Sequence, residues 1–365
     1  MSKYVYNFSA GPSALPPSVL SQASWDVWNL YDPPVSILEL HPREEKFEEI
    51  LEKAKANIAC LFELEPEQHV LILPGGASLQ FAMVPMNLKQ GDSADYIVRG
   101  EWSRRAFLEA QRAYQIAEKE PNGNKLCDKK PEPLRKNPTA TDYLHFTSNE
   151  TIEGSAFGEP PKPANKEPVV CDMTSDFLSR PINASKFDLI YASTHRNAGI
   201  AGATVLIIRQ ELLDISGKKT YLPHALSYYQ HKEQGTKLTT PPVAAIHLLY
   251  LMTNWLIEQG GLKVMARRNA AKAASLYATI DHSHGFYECK VPAACRSQMN
   301  VVFQLKTPDL AKQFIYEAEQ QSLWGLDSPT GKGEVRASLY NAVTEEAVAA
   351  LVQFMDEFRC RCKGC

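Results

Sequence analysis

The residues able to do chemistry lie where short apolar runs break into polar, glycine-rich turns. Leu189-Ile190-Tyr191-Ala192 reads as a buried strand and ends in Ser193-Thr194-His195-Arg196-Asn197. A glycine-spaced segment follows to Gly202, then a second strand over Ala203–Ile208. His69–Leu73 likewise runs into Pro74-Gly75-Gly76-Ala77-Ser78 and an apolar helix from Leu79. Strand, glycine turn and helix N-terminus leave free amides and a positive dipole end at one spot, which suits an anion; Ser78 adds a hydroxyl. Val169-Val170-Cys171-Asp172 is a third buried run and ends in an acid, which a helix N-cap would also explain. Arg43 stands at the entrance of a helix over Glu44–Phe62, where a guanidinium can fork onto a carboxylate or phosphate. A solvated surface arginine is the commoner fate of such a residue.

The elements that must position these residues alternate between strand and helix, which predicts an α/β fold. The spacing predicts helices over Ser18–Asn29, 105–120, Ala244–Ile257, Leu262–Tyr277, Pro308–Glu319 and Glu345–Phe358, and strands over Ala94–Val98, Tyr143–Phe146 and Met299–Leu305. Pro121–Pro138, rich in Lys, Pro and Asn, reads as a solvated loop. Thr239-Thr240-Pro241-Pro242 reads as a capping hydroxyl followed by first-turn prolines. Gly260-Gly261 marks a hinge into a smaller domain. Cys360, Cys362 and Cys365 read as part of a flexible basic terminus.

Composition narrows the function. At 365 residues with 44% hydrophobic content, the chain can bury a large core in two domains. A net charge of −3 gives no reason to expect nucleic acid or an anionic membrane as partner. No apolar run approaches the ~20 residues of a membrane span. The first thirteen residues lack the apolar core of a signal peptide, and eight scattered cysteines fit reduced thiols, so the expected location is cytoplasmic. No metal site is expected.

The chain resembles the phosphoserine aminotransferases, enzymes of fold-type-I pyridoxal-phosphate (PLP) architecture. The resemblance rests on Asn7-Phe8-Ser9-Ala10-Gly11-Pro12, on Gly75-Gly76-Ala77-Ser78-Leu79-Gln80-Phe81 and on Gly100-Glu101-Trp102-Ser103. It rests further on Asn149-Glu150-Thr151-Ile152, Leu178-Ser179-Arg180-Pro181 and Gly333–Asn341. It implies a large PLP-binding domain over 16–259 with a mostly parallel seven-stranded sheet flanked by helices. A smaller α+β domain would comprise 1–15 and 260–365. Gly76, Ala77 and Ser78 would hold the cofactor phosphate, Trp102 would stack on the ring, Thr151 would sit beside it, and Asp172 would pair with the pyridine nitrogen. Thr239 and Thr240 would reach the partner's cofactor across a homodimer. Ser9, Arg43 and Arg336 would bind substrate, Arg336 through its carboxylate. The family's usual reaction moves an amino group between glutamate and 3-phosphohydroxypyruvate.

Three positions depart from that pattern. Arg196 occupies the place of the lysine that bonds PLP, and a guanidinium with a pKa above ~12 stays charged and forms no such link. His195 replaces a glutamine and can act as acid or base near neutrality. Asp327-Ser328-Pro329-Thr330 replaces a segment that carries a His-Arg pair for the substrate phosphate. The expectation is an enzyme that holds PLP or pyridoxamine phosphate (PMP) non-covalently and acts on a small amino or keto acid, with His195 and Arg196 as the catalytic candidates. A working phosphoserine aminotransferase and a non-catalytic binding protein of the same fold are the alternatives.

Overall fold

A computed structural model describes residues 5–91, 93–114, 132–133, 141–235 and 238–363. Its centre is a seven-stranded sheet in the order Gln68–Pro74, Ala203–Arg209, Leu189–Ser193, Val169–Asp172, Leu144–Thr147, Asp95–Ile97, Glu132–Pro133. The three pairings from Leu189–Ser193 through to Asp95–Ile97 are parallel. Ala203–Arg209 runs antiparallel to both its neighbours, and Glu132–Pro133 is an antiparallel edge. Five of the seven strands therefore point one way, in agreement with a mostly parallel sheet.

The strands are short runs of β-branched and aromatic residues, buried on both faces because helices cover each side. One face packs on Phe81, Val84, Phe107 and Leu213. The other packs on Ile58, Phe62, Leu249 and Leu256, from the helices Glu45–Phe62 and Val243–Glu258.

A second core surrounds the antiparallel strands Tyr287–Glu288, Asn300–Leu305 and Glu334–Ser338. The helices Gly261–Asp281, Pro308–Gln320 and Glu345–Lys363 bury Leu276, Phe314, Phe354 and Phe358 against them. Phe8 belongs to this core, because Tyr6–Asn7 pairs in parallel with Leu323–Trp324.

Four local expectations are corrected. The helix expected over 105–120 begins at Glu101 and is described to Tyr114. The Glu150 and Glu153 carboxylates accept the amides of Trp102, Ser103 and Glu101, so the cap comes from a segment about fifty residues away. Thr240 does not cap the helix that follows: its N-cap is Pro242, with no side-chain bond. The last helix continues through Cys360 and Cys362 to Lys363, aided by an Arg361–Glu317 ion pair at 2.6 Å. Cys60, Cys171, Cys289, Cys360 and Cys362 are free thiols, but Cys295 is disulfide-bonded, against the expectation of reduced cysteines throughout. Cys365 and most of 121–138 lie outside the described residues.

Candidate active site

Three parallel strands end side by side in Thr147, Asp172 and Ser193, the place where open α/β sheets put their sites. The helix Ala77–Leu88 starts opposite them behind Gly75 and Gly76. A cavity of about 340 Å³ lies between, lined by Gly76, Ala77, Ser78, Trp102, Thr151, Asp172, His195 and Arg196 among others.

The helix N-terminus presents amides that no side chain caps, since Gly76 is the N-cap. The turn is braced from behind. The Gly75 amide donates to the Gly202 carbonyl at 2.9 Å, and Thr204 Oγ1 donates to the Gly75 carbonyl at 2.8 Å. Trp102 Nε1 donates to Thr151 Oγ1 at 2.9 Å, which fixes the indole along one wall. Asp172 is 4% exposed, and burial raises its carboxyl to about 6 against the opposing bonds from Thr174 and the field of Arg196. Its Oδ1 accepts the Thr174 amide at 3.0 Å, a turn motif. Thr147 Oγ1 is buried without a partner in the same wall.

On the remaining side Arg196 is 8% exposed. Its Nε donates to His195 Nε2 at 3.0 Å and its Nη1 to the Tyr340 hydroxyl at 2.5 Å. Tyr340 in turn donates to the Ala10 carbonyl at 3.0 Å. Gly11 is needed where the N-terminal segment crosses this pair: its φ is +147°, and a Cβ would lie 2.8 Å from both Arg196 Nε and His195 Cδ2. His195 Nδ1 is 2.8 Å from Ser193 Oγ. Burial, and then the charge of Arg196, hold the imidazole down at about 4, so it is neutral near pH 7.

These eight residues come together as the sequence suggested; the other five do not line the cavity. Arg43 and Thr240 are exposed. Thr239 lines a separate small cavity beside Pro74 and His231. Ser9 packs where Gly325 leaves room for it. Arg336 is half-buried with its Nε unpartnered. Thr147, Asn149, Thr174 and Ser175 line the cavity without having been singled out. Thr174 and Ser175, two and three residues after Asp172, are the ones legible in the sequence.

The donor set suits a ligand with an anionic group at one end and a protonated ring nitrogen at the other. Uncapped amides face Asp172 across a cavity walled by an indole, and a buried hydroxyl lacks a partner. No lysine lines the cavity among the described residues. Among them there is also no group of metal-binding side chains and no helix long and apolar enough to cross a membrane.

Residues 5–351 match the family model described as aminotransferase class-V. A phosphoserine aminotransferase of Herpetosiphon aurantiacus is 42% identical over 97% of this chain and 98% of its own length. Phosphoserine aminotransferase 2, chloroplastic, of Arabidopsis thaliana is 40% identical over 98% of this chain and 85% of its own. Among solved structures, phosphoserine aminotransferase from Bacillus circulans subsp. alkalophilus superposes with a TM-score of 0.88 at 36% identity, covering 99% of each chain. The PLP-bound phosphoserine aminotransferase of Trichomonas vaginalis does so with 0.88 at 32%, covering 97% of this chain and all of the other.

Proposed function

Because the chain belongs to the class-V aminotransferases, in their phosphoserine aminotransferase branch, we propose that it is an amino-group-transferring enzyme that holds PLP or PMP in the described cavity without a covalent link. The supporting observation is a complete cradle beside an arginine. The amides at Gly76–Ser78 would hold the phosphate, Asp172 the ring nitrogen, and Trp102 one ring face. When bound, PLP supplies a pyridinium that draws electrons from the substrate carbon. Asp172 keeps that nitrogen protonated. Arg336, half-buried with its Nε unbonded, would receive a substrate carboxylate.

For the substrate, the relatives weigh more than the departures do. Identity near 40% over the whole chain favours amino transfer between glutamate and 3-phosphohydroxypyruvate over a substrate of another class. The competing reading, a different small amino or keto acid, rests on Pro329 and Thr330. The Thr330 hydroxyl is bonded to the Glu334 carboxylate, and neither residue supplies a positive charge. The same proposal includes a cytoplasmic homodimer in which Thr239 and Thr240 serve the partner's site, and a domain division at 16–259 against 1–15 with 260–365.

The test is a PLP titration followed by absorbance, then turnover of phosphoserine with 2-oxoglutarate. Phosphoserine turnover establishes the family reaction. PLP binding with turnover only of other amino acids establishes the altered-substrate reading. PLP binding without any turnover reduces the chain to a binding protein, and a failure to bind PLP removes the proposal.

A further inference from the structure

Arg196 is more than an absent lysine. It is a cation 8% exposed, yet among the described residues it makes no ion pair; its hydrogen bonds go to a neutral imidazole and a phenol. Nη2 takes no part in either bond. Arg336 is in the same condition, half-buried, without an ion pair and with Nε unbonded. The two are linked along one face of the small sheet. Arg336 and Ser338 alternate onto the same side of the strand Glu334–Ser338. Asn300 Nδ2 donates to Ser338 Oγ at 3.0 Å and to the Tyr340 hydroxyl at 3.1 Å, and that hydroxyl holds Arg196. The charge of Arg196 also presses on Arg336, adding to the burial that lowers its basicity. Asp172 lies in the field of Arg196 and Asp327 in that of Arg336, yet among the described residues neither carboxylate forms an ion pair with them, and an anion held between the two guanidinium groups would offset the cost of desolvating both.

We propose that Arg196 is a second carboxylate-binding arginine, so that the carboxylate of a small 2-oxo or amino acid is clamped between Arg196 and Arg336. This deepens the reading above and rests on it for the location of the site. The exchange of an amine for a guanidinium then converts a bond-forming position into a binding one. The clamp recognises the acid whether or not an amino group or a cofactor is present. Tyr340 and His195 serve as positioning residues, holding Nη1 and Nε so that the uncommitted Nη2 faces the ligand.

The experiment is calorimetric titration of the purified chain with pyruvate, and with pyruvamide as the uncharged control, before and after saturation with PLP. Pyruvate should bind in both states and pyruvamide in neither. Arg196→Met should weaken pyruvate at least ten-fold, and Arg196→Lys, measured without PLP, by less. Equal pyruvate affinity in the wild type and Arg196→Met overturns the clamp. Should Arg196→Met not fold, the Arg196 Nε–H resonance of the wild type decides: it must shift as pyruvate is added, and an unmoved resonance overturns the proposal. Failure to bind PLP would remove the cofactor reading while leaving the PLP-free titration intact.

Discussion

Arg196 donates through Nε to Nε2 of His195 at 3.0 Å, so the cation occupies the lone pair that a neutral imidazole would use as a base. The proton of that imidazole then sits on Nδ1, facing Ser193 Oγ at 2.8 Å. His195 therefore takes a proton from substrate only when Arg196 lets go. The sequence marks His195 as an acid/base candidate by residue type alone, and the geometry attaches this condition to the role.

The cofactor, if held as proposed, leaves no trace on the protein. Borohydride reduction of the PLP-loaded chain should yield no pyridoxyl mass on any residue, because Arg196 forms no reducible bond and, among the described residues, no lysine lines the cavity. Arg196→Lys should acquire that mass on residue 196. Mass spectrometry of tryptic peptides checks both, and an adduct in the wild-type pocket would refute the non-covalent hold.

Asp172 and His195 should pull the stability of the ligand-free protein in opposite directions with pH. Asp172 is raised to about 6 from 3.8, so the folded state binds more protons and stability falls as pH rises from about 4 to about 6. His195 is lowered to about 4 from 6.5, so the unfolded state binds more protons and stability rises as pH rises from about 4 to about 6.5. Each effect is on the order of 3 kcal/mol at ~1.4 per pKa unit. Thermal melting of Asp172→Asn should therefore gain a positive slope over that window, and His195→Gln a negative one. Parallel profiles for the two variants would remove this account.

Asp172→Ala should also weaken PLP by ten-fold or more, read by absorbance titration, if this carboxylate holds the ring nitrogen. Unchanged affinity would reduce it to the turn residue that its bond to the Thr174 amide already makes it.

Thr151→Ala takes the acceptor from Trp102 Nε1 and frees the indole to leave the wall. The loss of one such bond at a half-buried donor is worth about 0.5–1.5 kcal/mol. PLP affinity should fall roughly two- to ten-fold, with melting little changed. Tryptophan quenching by PLP measures it directly.

If the missing His-Arg pair limits phosphate binding, Pro329→His with Thr330→Arg should raise phosphoserine affinity. It would free Glu334 from the Thr330 hydroxyl and add two cationic donors. Calorimetry with phosphoserine and glutamate reads the ratio. An unchanged ratio would mean that these positions do not face the ligand.

The strands and the cradle were legible because each depends on neighbours in sequence. Val169–Asp172 is an apolar run ending in an acid, and Gly75–Ser78 is a turn opening a helix. What stayed hidden depends on partners far along the chain. The start of the helix at Glu101 is set by Glu150 and Glu153, and the aim of Arg196 is set by Tyr340, 144 residues away. Arg336 was legible as a type of residue, whereas its missing partner was not, since an unbonded Nε is a property of packing. Helices Gln210–Gly217 and Tyr228–Gln234 went unread between Arg209 and Thr236, where periodicity is short.

The bond from the Gly75 amide to the Gly202 carbonyl and the bond from the Thr204 hydroxyl to the Gly75 carbonyl join the anion turn to the end of the loop bearing residue 196 through main-chain and threonine groups alone. No atom of the residue 196 side chain takes part in that brace. A chain built this way can lose or change the group that reacts while the fixture that grips the ligand keeps its shape. The grip on an anion and the side chain at position 196 are thus held by separate sets of contacts.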